Sequence, residues 1–205
     1  MYVPNHFQAQ SPEEVEQFLK ENSFATLISY QDGKPIASHI PLLLVEKEDG
    51  QKVLWGHISK ANPQWKNIET QEEVLAIFTD AHTYISSSWY NHVNVPTWNY
   101  IAVHAYGKVK IIEGDTLYQS VKDLVEKYEV GNQPRFHMED LEENDMRRQL
   151  RGITGLEMSL DRVEASFKLS QNRNPEDHKN VIDQLEKRGD DHSQKIADEM
   201  KKWKK

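Results

Sequence analysis

Between residues 24 and 58 three short runs rich in aromatic and β-branched residues are separated by acid–glycine turns, and this pattern leaves little choice of fold. Phe24 to Tyr30 is followed by Gln31-Asp32-Gly33-Lys34, Ile36 to Val45 by Glu48-Asp49-Gly50, and Lys52 to Ile58 closes the set. Runs of this length between such turns read as an antiparallel meander, so a β-sheet forms the centre of the molecule. Pro41 falls inside the second run and predicts an edge or a bulge there, because proline has no N–H for a ladder.

Helices surround that centre. Ser11-Pro12-Glu13-Glu14 reads as a cap, a first-turn proline and a capping-box acid, and Val15, Phe18 and Leu19 form an apolar face ending near Asn22. Asn62-Pro63 opens a short helix through Ile68. Val74 to Phe78 and Thr83 to Ser86 are separate strand candidates. Tyr100 to Ile112 is the longest strand signal, with Ile101, Val103, Ala105 and Gly107 on one face. Asp115 can cap a helix to about Glu129, and Met138 to Leu150 reads as a short helix or ordered loop. Gly155 to Leu169 is a last strand, or two around Asp161-Arg162. From Asn174 two amphipathic stripes follow, Val181, Ile182 and Leu185, then Ile196, Met200 and Trp203, with Gly189 placed to end the first helix. The expected fold class is α+β with a β-barrel core and peripheral helices, divided into a domain over 1–173 and a C-terminal helical appendage over 174–205.

Composition narrows the function. The chain has 205 residues and no cysteine, which excludes disulfides, thiolate catalysis and cysteine-ligated metals. Met1 to Gln10 lacks the basic and apolar regions of a signal peptide, and no apolar run approaches the roughly 18 residues of a membrane span, so no membrane partner is expected and the cytoplasm is the expected compartment. A net charge of −8 argues against broad DNA binding, and no helix-turn-helix signature is present. Lys201, Lys202, Lys204 and Lys205 leave open a local contact with DNA or a regulatory partner protein. H-E-x-x-H and G-x-S-x-G are both absent.

Five segments carry polar and aromatic groups that a plain core does not need: 39–44, 56–65, 84–90, 95–100 and 168–173. In the second, a strand ends near His57, Ser59-Lys60 follows, and Asn62-Pro63 starts a helix. Free N–H groups at a helix start, beside one hydroxyl and one cation, make a phosphate cradle; an ordinary strand-to-helix loop reads the same way.

The segments His39-Ile40-Pro41-Leu42-Leu43-Leu44, Gly56-His57 through Asn62-Pro63-Gln64-Trp65, Tyr84-Ile85-Ser86 with Trp89-Tyr90, Val95-Pro96-Thr97-Trp98-Asn99-Tyr100 and Lys168-Leu169-Ser170-Gln171-Asn172-Arg173, with Met1-Tyr2-Val3-Pro4 and Phe7, resemble the PaiB family. Members are also called FMN-binding negative transcriptional regulators. The resemblance implies an FMN-binding split barrel, antiparallel and pyridoxamine-phosphate-oxidase-like, working as a homodimer with FMN between subunits. It implies repression of extracellular protease synthesis and sporulation, and leaves a flavin-dependent oxidoreductase or a haem-degrading enzyme as the alternative. The cofactor residues it points to are His39, His57, Ser59, Lys60, Asn62, Trp98, Asn99, Gln171 and Arg173. Relatives often carry Ala-Arg where this chain has Ser59-Lys60, so the charge is kept and the bidentate fork is lost.

Overall fold

β1 (Phe24–Gln31) and β2 (Lys34–Glu46) pair antiparallel from Phe24 opposite Pro41 to Gln31 opposite Lys34. The two residues between them, Asp32 and Gly33, have φ of 51° and 74°. Two consecutive positive φ values suit the right-handed twist of a hairpin, and Asp-Gly is the pair that tolerates them. The computed structural model describes residues 1–203 and contains two units, Leu19–Phe78 with Ala105–Val163, and Met1–Phe18 with Thr79–His104 and Glu164–Lys205.

In the first unit β2 changes partner midway. Up to Pro41 it pairs with β1; from Leu42, opposite Gly56, to Glu46, opposite Lys52, it pairs with β3 (Lys52–Ser59). Pro41 therefore lies at a hand-over inside the sheet rather than on an edge strand, which corrects half of the expectation for that residue. Gly56 is required beside it, since a Cβ there would lie 2.6 Å from the Pro41 carbonyl oxygen. The first residues of β4 (Val74–Ile85) pair with β1, from Ala25 opposite Phe78 to Ile28 opposite Leu75. On the far side of β3, β7 (Ile153–Ser159) pairs from Val53 opposite Ser159 to Ser59 opposite Ile153, and β6 (Val109–Ile112) closes that side. The order is β6-β7-β3-β2-β1-β4, antiparallel throughout. Leu27, Leu42, Leu54, Phe78, Leu156 and Met158 are at most 1% exposed and form its core. Each contributes on the order of 1.5–3 kcal/mol of burial.

α1 (Pro12–Glu21), α2 (Gly114–Tyr128) and α3 (Glu143–Arg151) supply the helices up to residue 151. α2 is capped at Glu113, so Asp115 sits in its first turn and is not the cap. The long strand expected over Tyr100 to Ile112 is two strands, β5 (Thr97–Gly107) and β6, broken at Gly107-Lys108. A Cβ at Gly107 would lie 1.9 Å from the Ser159 carbonyl oxygen, the Ser159 N–H donates to the Lys108 carbonyl and the Lys108 N–H to Ser159 Oγ, both at 2.9 Å, so the crossing chain forces the break.

The second unit contains the rest of β4, most of β5 and β8 (Arg162–Lys168), hydrogen-bonded in the order β4-β5-β8. Val74 to Ile85 is one strand, not the two expected. The last two helices, α4 (Pro175–Arg188) and α5 (Asp191–Lys202), belong to this same unit. Asn174 caps α4 through a 2.8 Å bond from the Asp177 N–H, Gly189 ends it at φ 72°, and Asp190 caps α5. Val181, Leu185, Ile196 and Met200 are fully buried, so both apolar stripes face the core. No helix among the described residues is long and apolar enough to cross a membrane.

Candidate functional site

β3 delivers the chain to a tightly held loop. The Lys60 N–H donates to the Gly152 carbonyl at 2.9 Å, the Asn62 N–H to the Ser59 carbonyl at 2.9 Å, and the Ala61 N–H to Ser59 Oγ at 3.3 Å. Asn62 then caps a 3₁₀ helix over Pro63–Thr70, its Oδ1 accepting from the Gln64 N–H at 3.0 Å and its Nδ2 donating to Ser38 Oγ at 2.8 Å. The Trp65 indole donates to the Lys60 carbonyl at 3.0 Å. Every backbone N–H from residue 60 to 62, and that of Gln64, is thus already engaged; Pro63 has none. The expected cradle of free amides is absent, because the loop uses those donors to hold its own shape. Any grip on an anion here falls to side chains.

Two cationic side chains are available. Lys60 and Arg151 both border a cavity of about 320 Å³, together with Trp65, Glu113, Leu117 and Gly155. Neither makes a side-chain hydrogen bond or ion pair among the described residues. Gly155 lets β7 pack closely at the cavity wall: a Cβ there would lie 2.7 Å from both the Ile112 carbonyl oxygen and Leu117 Cδ1. Arg151 carried no signal in the sequence, where it closes a charged stretch like any surface helix.

His57 points from β3, and its Nδ1 is buried with no hydrogen-bond partner. Burial holds its pKa below the ordinary histidine value, so the ring is neutral near neutral pH. His39 lies on the exposed face of β2, with Nδ1 3.0 Å from Thr26 Oγ1 across the hairpin and its ring stacked on Phe24 at 6.5 Å. A second cavity, of about 770 Å³, contains Glu157, a carboxylate that the sequence hid inside an apolar strand. Glu157 is 6% exposed and accepts from Trp55 Nε1 at 2.8 Å, Lys110 Nζ at 2.9 Å and Lys47 Nζ at 3.3 Å. Burial pushes its pKa up, but the three donors outweigh burial and hold the carboxyl below its ordinary range.

In the other unit, Asn99, Gln171 and Arg173 gather around Ser170, whose φ is 61°. Asn99 is fully buried and exchanges hydrogen bonds with Ser170 Oγ at 3.0 and 3.1 Å. Gln171 folds back onto its own strand end, accepting from the Leu169 N–H at 2.8 Å and donating to the Phe167 carbonyl. The Arg173 guanidinium lies 4.6 Å from the Tyr90 ring centre. Trp98 stands apart, 52% exposed, with Tyr84 at 5.9 Å and His82 at 6.1 Å. These three rings make an exposed aromatic surface. Lys201 pairs with Glu186 and Asp198, and Lys202 with Glu199; Lys204 and Lys205 lie outside the described residues.

Residues 1–162 match the model of the family described as "Putative FMN-binding domain". The chain is 41% identical over 200 residues to the "Protease synthase and sporulation protein PAI 2" of Bacillus subtilis, covering 98% of this chain and 96% of that protein. Its fold is similar to that of the flavocytochrome Anf3 from Azotobacter vinelandii, with a TM-score of 0.62 at 16% identity over 87% of this chain and 78% of that one. It is also similar to the FAD and heme binding protein from Mycobacterium smegmatis, with a TM-score of 0.60 at 18% identity over 78% and 73% of the two chains. The fold is thus that of the flavin-binding split barrels, as the resemblance implied.

Proposed function

This chain belongs to the PaiB-type family of FMN-binding domain proteins, and we propose that it is an FMN-binding negative regulator of extracellular protease synthesis and sporulation. It acts in the cytoplasm as a homodimer. The observation that carries the cofactor reading is the donor set at the first cavity: two cations without side-chain partners among the described residues, and an indole. Such a set suits the phosphate end of FMN, since phosphate recognition needs fixed positive charge in a shaped recess.

Lys60 holds the phosphate by charge, and the engaged amides beneath it keep the loop rigid so that little order is lost on binding. Trp65 shields that contact from water, and neutral His57 stays available on the strand leading in. When bound, FMN supplies one- and two-electron redox chemistry. The regulatory output runs through a partner protein more than through phosphates of DNA: the net charge is −8, and Lys201 and Lys202 are paired with acids of α4 and α5. The exposed surface of His82, Tyr84 and Trp98 supports dimerisation, as exposed aromatic groups of this kind mark interfaces.

The visible spectrum of the purified protein, before and after adding FMN, tests the cofactor reading. Flavin bands that stay with the protein through gel filtration are expected; protein that remains colourless after FMN addition overturns it. Light scattering at micromolar concentration should give twice the chain mass, and a monomer would sink the shared-pocket arrangement. Deleting the gene should raise secreted protease activity, and unchanged secretion would remove the regulatory role.

A further inference from the structure

We propose that Arg151 is the second cation of the phosphate site, closing on a phosphate monoester together with Lys60. The proposal deepens the FMN reading and rests on it for the identity of the ligand, while the clamp itself is testable without flavin.

The geometry begins with the sheet. β3 and β7 are in register with Ser59 opposite Ile153, and the next backbone bond, Lys60 N–H to the Gly152 carbonyl at 2.9 Å, continues the pairing past the strand ends. Residues 60 and 152 are thereby fixed as neighbours. Arg151 is the last residue of α3, which stops at Gly152, where the Gly152 N–H bonds to the Gln149 carbonyl at 2.9 Å. One end of the clamp therefore comes from a strand exit and the other from a helix end, joined by a backbone hydrogen bond. Both side chains border the same cavity of about 320 Å³.

The arginines near Arg151 are spoken for. Arg147 is paired with Glu143, and Arg148 with Asp145 at 2.9 Å, both within α3. Arg162 is paired with Glu73 at 3.1 Å. Arg151 has no such partner among the described residues, although the chain has 33 acids to 25 lysines and arginines. In an acidic protein an arginine left unpaired beside a cavity, next to an unpaired lysine, is placed to meet an anion that comes from outside. The first turn of α2 borders the same cavity through Glu113, Gly114 and Leu117, so the partial positive charge of a 15-residue helix points the same way. Glu113 opposes it, leaving the wall at a formal charge of +1 from one lysine, one arginine and one carboxylate.

The chemistry assigns different parts to the two cations. Lysine is a point charge and does not read geometry, whereas the planar guanidinium presents paired donors that match two phosphate oxygens. A purely structural Arg151 would favour the C-terminal end of α3 through its dipole and would bind nothing.

Two measurements separate these cases. In the first, inorganic phosphate is titrated against the full-length protein and its Arg151→Ala and Arg151→Lys variants, with ³¹P line width as the readout. Broadening that is lost in Arg151→Ala and only partly kept in Arg151→Lys is expected; equal broadening in all three overturns the clamp, as does an absence of phosphate binding to wild type. In the second, FMN and riboflavin are titrated by fluorescence quenching. Arg151→Ala should weaken FMN by tenfold or more and leave riboflavin within twofold; equal losses for both, or an unchanged FMN affinity, overturns it. Wild-type protein that binds phosphate through Arg151 but does not take FMN would keep the clamp and sink the flavin reading. Thermal unfolding of the variants identifies the dipole role, which lowers the midpoint without touching anion affinity.

Discussion

The Ser38 hydroxyl donates a 2.6 Å hydrogen bond to the side-chain carbonyl of Gln64, and through it the loop carrying Lys60 is tied to the first hairpin. Gln64 is fully buried, and its Nε2 also donates to Ser29 Oγ at 3.0 Å and to the Leu27 carbonyl at 3.2 Å. Asn62 reaches the same Ser38 hydroxyl. Replacing Gln64 with leucine strands these groups in the interior, and each buried polar group left unsatisfied costs about 1–3 kcal/mol. Urea unfolding of Gln64→Leu should show a loss of at least that size, with FMN affinity falling in parallel. A variant as stable as wild type would show that water replaces the amide.

Lys60→Ala should weaken FMN much more than riboflavin. A charge-assisted bond to phosphate is worth roughly 1.5–3 kcal/mol, which is about tenfold or more in affinity. Lys60 is exposed, so the fold should be unaffected. Flavin fluorescence quenching measures both ligands; equal losses would mean a general defect of the pocket rather than a lost phosphate contact.

Glu157 gives the protein an acid-sensitive element. Its folded-state pKa is held below the ordinary carboxylate value of 4.5, so its stabilising contribution is present above that value and fades as pH falls through the folded one. Glu157→Gln keeps the shape but loses the charge that attracts Lys47 and Lys110. The variant should be less stable than wild type at pH 7, and the gap should narrow under acid. Denaturation curves at neutral pH and near pH 3 check it, with Trp55 fluorescence reporting the site directly.

His57 acts with the opposite charge type. Burial lowers its folded-state pKa below the ordinary 6.5, so below that value the unfolded chain takes up a proton that the folded chain refuses. Stability therefore falls as pH drops from about 6.5 toward the folded pKa, then levels off. His57→Phe should flatten this part of the profile. An unchanged slope between pH 7.5 and 5 in the variant would place the titration elsewhere.

Local chemistry made much of the molecule legible from the sequence. The Asp32-Gly33 hairpin, the Asn62 cap and the Gly189 stop are set by which φ values and side-chain acceptors a few consecutive residues offer, so they are visible without the rest of the chain. The apolar stripes of α4 and α5 were readable for the same reason, since a helix repeats its face every few residues. The resemblance of the segments that include Thr-Trp-Asn-Tyr and Leu-Ser-Gln-Asn-Arg led to the right family. It could not separate residues that are conspicuous because they hold the fold: Asn99 and Gln171 spend their amides on Ser170, Leu169 and Phe167.

What only tertiary structure decided is whatever depends on strand register. The pairing of β3 with β7 sets Ser59 against Ile153, consumes the Lys60 amide on Gly152, brings Arg151 to the cavity and seats Glu157 against Trp55. A slip of one residue would turn Glu157 to the other face of the sheet and part the Lys60 amide from the Gly152 carbonyl. Such a register is chosen by the packing of the whole core, and no short window of sequence contains it. The same holds at Gly107, where the strand pattern continues through the glycine and only the approach of the Ser159 carbonyl ends the strand.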